Sequence, residues 1–244
     1  MWLVCLCLLL VVASARLSPP PHLATPPLTG WPYTCVWDSP TSVCDRFGID
    51  FNLSQYDILQ NSGSAFEGNK ISIFYGIGRF PEISHATGQY VNGGIPQLGN
   101  LTYHLQQVKA DIISVIPDSN FDGLAVIDFE AWRPLFKHNF DWLKIYQEAS
   151  EELVKKEHPS WTNPTLIKQE AEEEFNAAAK TFFLSTIQLA QEMRPHAYWG
   201  YYGLPRCYGK PGNYCSSESQ SDNDQLQWLW NVTGAVYPRI YLRE

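Results

Sequence analysis

Basic residues are scarce in this chain of 244 residues: 17 Lys and Arg stand against 25 Asp and Glu, a net charge of −8. A nucleic-acid binder neutralises phosphates with a basic face, so that class is disfavoured. Long apolar runs are missing too. The stretch Leu3 to Val12 has ten residues, against the roughly 20 that a membrane-spanning helix needs. Metal signatures are thin, with no close C-x-x-C and none of the six His near a Cys at ligand spacing. Neither a phosphate-binding glycine loop nor an internal repeat occurs. Aromatics are what the chain has in quantity, at 14% of residues with nine Trp and thirteen Tyr. That surface fills one sizeable core, excludes wholesale disorder, and leaves too little chain for two ordinary catalytic domains.

The short apolar stretch is followed by Ala13-Ser14-Ala15. This reads as a signal peptide over residues 1–15, although its n-region carries no Lys or Arg, and it predicts a secreted or lysosomal route. Cys5 and Cys7 leave with it, so four cysteines remain to be judged first as disulfide candidates. Cys207 and Cys215 bracket a Gly- and Pro-containing loop and are expected to close a short bridge. Cys35 and Cys44 either pair with each other or want a partner that is absent. Sequons at Asn52, Asn100 and Asn231 agree with export.

Residues 16–32 are Pro-rich and read as a leader; residues 33–244 read as one domain. Strand candidates lie around Val36-Trp37, at Ile71–Tyr75, Leu124–Ile127, Ala197–Tyr202 and Ala235–Leu242. Helices are expected from Leu101 to Ile116 before Pro117, from Asp141 to His158 before Pro159, and from Asn163 to Met193 before Pro195. In the last of these, Asn163 is the N-cap and Pro164 the first helical residue. Alternating strand and helix with buried-looking strands predicts a parallel α/β sheet, doubly wound or barrel. A complete (β/α)8 barrel needs eight strands and about 250 residues, so five strands make an incomplete one.

The most informative stretch is Phe121-Asp122-Gly123-Leu124-Ala125-Val126-Ile127-Asp128-Phe129-Glu130-Ala131-Trp132-Arg133-Pro134. Four apolar residues form the strand, and then carboxylates follow at i and i+2. Extended backbone places such a pair on one face, Cα atoms about 6.5 Å apart, at the strand end where barrel enzymes work. Two neighbouring acids do not both ionise freely, so one is expected to keep its proton towards neutral pH. That split suits glycosidic cleavage. The competing readings are a structural ion pair neutralised by Arg133, and carboxylates for Mg²⁺, which lack a third well-spaced acid. Tyr75, Tyr201, Tyr202, Tyr237 and Tyr241 lie at or near the other strand ends, where rings with a polar tip suit sugars. Tyr202 and Tyr241 are expected to aim hydroxyls into the mouth that holds Asp128 and Glu130.

Val126-Ile127-Asp128-Phe129-Glu130-x-Trp132-Arg133-Pro134, Asn92-Gly93-Gly94-Ile95-Pro96-Gln97-Leu98-Gly99-Asn100-Leu101 and Trp199-Gly200-Tyr201-Tyr202 together resemble the hyaluronidases, glycoside hydrolase family 56. The resemblance runs from about Trp37 to Arg243. It implies a distorted TIM-like (β/α)7 barrel, here with about five of seven strands. It also implies internal cleavage of β-1,4 N-acetylhexosaminide bonds in hyaluronan, without cofactor or metal. By the same resemblance the substrate's acetamido oxygen is the nucleophile. Glu130 protonates the leaving oxygen and later activates water, and Asp128 orients and charge-stabilises the acetamido group. Tyr202 and Tyr241 hydrogen-bond that group, Tyr75 contacts substrate, and Arg133 belongs to the binding set.

Two further strands of the family barrel, with an aromatic wall of the acetamido pocket and the cysteine matching Cys44's partner, do not occur in the sequence. The chain therefore reads as a fragment or short form, and a Cys35–Cys44 bridge is a local substitute. Bases near the strand ends (Arg133, Lys137, Arg206, Arg243) are expected to make the groove positive for an anionic glycan, while the acids of the two outer helices point away. A chitinase-like hydrolase and a catalytically silent glycan binder are the alternative functions.

Overall fold

The computed structural model describes residues 34–208 and 215–239. Short strands β1 (Cys35–Trp37) and β2 (Ile58–Gln60) pair in parallel and form a sheet of their own. The main sheet begins with β3 (Ile71–Phe74). A hairpin of β4 (Glu82–Ile83) and β5 (Tyr90–Val91) follows, then helix α1 (Leu101–Val115). Next come β6 (Leu124–Ile127), α2 (Lys144–Glu157), α3 (Pro164–Met193) and β7 (Tyr198–Tyr201). Helices α4 (Ser217–Gln225) and α5 (Gln227–Trp230) close the described chain.

The main sheet is parallel in the order β3-β6-β7, with Phe74, Ile127 and Tyr201 in one register row. Helices α1 and α3 lie between these strands in sequence, the crossover that parallel strands require. Three of the expected helices form where their stop signals placed them. Asn100 caps α1 by accepting from the Tyr103 N–H. Asn163 caps α3 through the Thr165 N–H, with Pro164 at the first position. One face of α3 (Ile167, Ala171, Phe175, Ala179, Phe183, Ile187) is buried throughout. It meets Ala125, Ile127, Trp199 and Tyr201 on the outer face of the sheet to form the core.

The strand expectations need correction. Val36-Trp37 belongs to the separate pair with β2, not to the main sheet. The last expected strand, Ala235–Leu242, is represented by a single parallel bridge, Tyr202 with Tyr237, and residues 240–242 lie outside the described residues. Among the described residues the main sheet thus has three strands plus that bridge and does not close. Gly200 makes the bridge possible. A Cβ there would sit 2.0 Å from the Ala235 carbonyl oxygen, so any side chain would push away the segment that donates the Gly234 and Ala235 N–H groups to the Trp199 carbonyl.

Candidate active site

The parallel ladder continues one row past the strands. The Asp128 N–H donates to the Phe74 carbonyl at 3.0 Å, and the Tyr202 N–H to the Ile127 carbonyl at 2.9 Å. Tyr75, Asp128 and Tyr202 therefore follow the same register row on three adjacent strands. Alternation sets their face: Ala125 and Ile127 point into the helical core, so Asp128 points the other way. Phe129 confirms the pleat, stacking outward on Phe80 at 4.1 Å and against Trp132 at 4.9 Å. Asp128 and Glu130 flank it, both half-buried.

Burial and the Glu130 carboxylate push the Asp128 carboxyl above its ordinary value, against a smaller opposing pull from Arg133. Like charges are close, as the spacing predicts. Tyr75 is exposed, stacks on Phe66 at 6.1 Å, and lines an open cleft of about 300 Å³ with Arg79, Glu82, Asn92 and Asp128. Tyr202 and Glu130 meet in an adjoining recess with Arg133, Leu204 and Arg206. Not every expected tyrosine joins them. Tyr201 is buried and donates its hydroxyl to the Phe183 carbonyl at 2.9 Å, and Tyr237 donates to the Tyr198 carbonyl at 2.6 Å. Tyr241 lies outside the described residues.

Arg133 is 9% exposed. Its guanidinium donates to the Glu130 carbonyl oxygen at 2.8 Å and approaches the Glu130 carboxylate at 3.5 Å. Burial and the neighbouring Arg206 guanidinium lower its pKa, Arg239 contributing in the same sense. Arg133 and Arg206 both line the recess. Lys137 is not one of the rim's open cations: it pairs with buried Asp222 on α4. Arg243 lies outside the described residues. The acids expected on the outer helices are there, Glu148, Glu151, Glu152 and Glu157 on α2 and Glu170 to Glu174 on α3.

Sequence reasoning missed a polar assembly beside the recess. His138 Nε2 lies 2.8 Å from Asp222 Oδ2, and its ring lies 4.5 Å from that of Tyr208. No sequence signal joins residues 84 positions apart.

Cys207 and Cys215 form the expected disulfide. Cys35 and Cys44 are both free thiols, so the Cys35–Cys44 bridge does not form. Asn52, Asn100 and Asn231 are all exposed, and each uses its side-chain oxygen as an acceptor. Among the described residues no helix is long and apolar enough to cross a membrane, and no group of three or more His, Cys, Asp or Glu could hold a metal ion.

The hyaluronidase family model matches residues 22–244, starting inside the segment read as a leader. Hyaluronidase-1 of Sus scrofa is 41% identical over 220 residues, covering 86% of this chain and 50% of the relative. The hyaluronidase of Polistes annularis is 40% identical over 219 residues, covering 86% and 59%. The crystal structure of bee venom hyaluronidase superposes with a TM-score of 0.80 at 39% identity, over 86% of this chain and 68% of that one. The same enzyme in complex with a hyaluronic acid tetramer gives 0.77 at 39% identity, over 82% and 65%. The chain spans about half the length of the mammalian relative it matches. Matched over nearly all of its length by one family model, the chain belongs to the hyaluronidase family.

Proposed function

We propose that residues 33–244 are part of the distorted (β/α)7 barrel of an endo-β-N-acetylhexosaminidase that cleaves β-1,4 linkages of hyaluronan, or of chondroitin, with retention. The observation that carries this reading is the register row: Tyr75, Asp128 and Tyr202 follow one another at the strand ends, with Glu130 two residues beyond Asp128. The acetamido oxygen of the substrate attacks the anomeric carbon while Glu130 gives its proton to the departing glycosidic oxygen. Asp128 accepts from the acetamido N–H and balances the positive charge that develops on that group. Glu130 then takes a proton from water, which opens the cyclic intermediate and restores the starting state. Tyr202 and Tyr241 orient the acetamido group, Tyr75 supports a sugar ring, and Arg133 fixes Glu130.

The bee venom relative with its hyaluronic acid tetramer supports the choice of substrate. The Cys207–Cys215 bridge and three exposed sequons support passage through an oxidising secretory route. The chitinase-like alternative gains nothing from the relatives, which are hyaluronidases. The silent glycan binder keeps one supporting observation, the unclosed sheet among the described residues. The test is incubation of the secreted chain with hyaluronan, chondroitin and chitin oligomers, followed by size analysis. Wild-type protein is expected to shorten hyaluronan, and Glu130→Gln to lose on the order of 10³-fold in turnover while still binding. Equal cleavage by Glu130→Gln overturns the assignment; binding without cleavage by either protein establishes the silent binder.

A further inference from the structure

Arg133 touches Glu130, and something must fix Arg133. Close to it lies Tyr208, whose burial raises the hydroxyl above the ordinary tyrosine value while the Arg206 and Arg133 guanidinium groups pull the other way. Tyr208 is clamped from several sides. The His138 ring lies 4.5 Å away, the Phe140 ring meets it edge-on at 5.4 Å, and the Arg206 guanidinium lies 5.5 Å from its centroid. Its backbone is held by Ser219 of α4, whose hydroxyl accepts from the Tyr208 N–H and donates to the Tyr208 carbonyl, both at 3.1 Å.

Asp222, one helical turn beyond Ser219, is 4% exposed and takes both Lys137 and His138 from the loop that begins at Arg133. Burial opposes ionisation of Asp222, but the hydrogen bonds from Lys137 and His138 outweigh it and hold the carboxyl below its ordinary value. Asn139 closes the same loop, accepting from the Arg133 N–H at 2.7 Å and donating to the Arg133 carbonyl at 3.1 Å. A buried carboxylate placed between two segments, with two basic partners, is costly to form unless both partners are in place. It therefore specifies one arrangement of loop 133–139 against residues 206–208.

We propose that His138 and Asp222 are positioning residues that hold loop 133–139 against residues 206–208 and so fix the Glu130–Arg133 contact. The proposal rests on Glu130 being the acid of the reaction. Without the clasp, the Tyr208 ring loses its His138 wall, and the loop that carries Arg133 is no longer tied to α4. The guanidinium then samples several orientations over the carboxyl that must deliver a proton. The substrate-lining groups Tyr75 and Tyr202 are untouched, so the effect falls on turnover and not on binding.

The test uses the full chain with His138→Gln, Asp222→Asn and Asp222→Glu. Turnover on hyaluronan is expected to fall about tenfold in the first two, with KM within about twofold, equivalent to roughly 1.4 kcal/mol of barrier. Asp222→Glu recovers most of it. A second readout needs no activity: nitrogen-15 NMR of the Arg133 guanidinium, assigned with Arg133→Lys. Hindered rotation of its terminal nitrogens is expected in the wild type and free rotation in Asp222→Asn. Unchanged Arg133 signals in folded Asp222→Asn overturn the proposal, as does a loss of turnover that Asp222→Glu does not restore. If the wild type cleaves nothing, or Glu130→Gln cleaves as well as wild type, the functional reading fails, while the Arg133 signals still decide whether the clasp exists.

Discussion

Two parts of this molecule are built from the same residue types and are packed in opposite ways. In the core between the main sheet and its helices, Trp132, Phe136, Tyr146, Phe175 and Trp199 are fully buried. The indole N–H of Trp132 reaches the Pro81 carbonyl at 2.7 Å. In residues 37–56, Phe47 and Tyr56 are each 68% exposed and Val43 53%. There the buried polar atoms Trp37 Nε1, Asp38 Oδ1 and Thr41 Oγ1 have no hydrogen-bond partner. Hydrophobic composition alone thus says little about stability. The core has two layers, a sheet and α3, between which aromatic rings interlock; the amino-terminal segment has only a two-stranded sheet and short 3-10 helices.

The largest expected effect tests that contrast directly. Trp132→Ala should cost about 3–5 kcal/mol in urea unfolding, while Phe47→Ala should stay within about 0.5 kcal/mol. Equal losses would mean that the amino-terminal aromatics are buried in the protein in solution.

Next comes His104, buried under the loop that follows β3. The Arg79 N–H donates to its Nδ1 at 2.8 Å, so Nε2 carries the proton and faces the Thr186 hydroxyl, also at 2.8 Å. The Thr186 hydroxyl in turn donates to the Phe182 carbonyl. A proton on Nδ1 would point at another N–H, and burial lowers the pKa to about 4. The unfolded chain takes up this proton near pH 6.5 and the folded chain only near 4, so the unfolded state binds more protons between them. Stability should therefore fall by about 3 kcal/mol as pH drops from 6.5 to 4, a loss concentrated in that window. His104→Gln should flatten that slope in acid denaturation series, and a parallel slope would exclude His104 as its source. Gly78 depends on the same packing: with φ of +69°, a Cβ there would lie 2.5 Å from the imidazole.

The smallest of these effects concerns the edge of the site. Replacing Cys207 and Cys215 by Ser opens a loop with a sequence separation of 8, which should destabilise the chain by about 2.5 kcal/mol on chain-entropy grounds. Thermal unfolding with and without reductant measures it, and no change in midpoint would show that α4 alone holds residues 206–208.

The legible parts of the sequence were those with a local cause. Asn163-Pro164 set the start of α3, Pro117 and Pro159 stopped the helices before them, and Leu124–Ile127 read as a buried strand because four apolar residues stood between Gly123 and Asp128. The pair Asp128 and Glu130 was legible for the same reason. Helix α4 was not: its sequence SESQSDNDQ has no apolar stripe, and it is held by its Ser216 cap and by buried Asp222 and Ser219. The first strand candidate formed its strand in a separate sheet and the last is represented by one bridge, because β-branched and aromatic runs predict extended backbone without naming a partner. Tyr201 and Tyr202 show the limit most clearly: adjacent and chemically identical, one is locked into the core and the other lines the recess.

By itself the sequence determined helices α1 to α3, the central strand and the placing of two acids at its end, because capping, proline and strand alternation act within a few residues. Only the tertiary structure decided which tyrosines reach the rim, that Arg133 turns inward onto Glu130, and that Asp222 gathers His138 and Lys137. These depend on register between strands and on contacts between segments far apart in the chain, and a hydrogen bond across 84 residues leaves no trace in either local sequence.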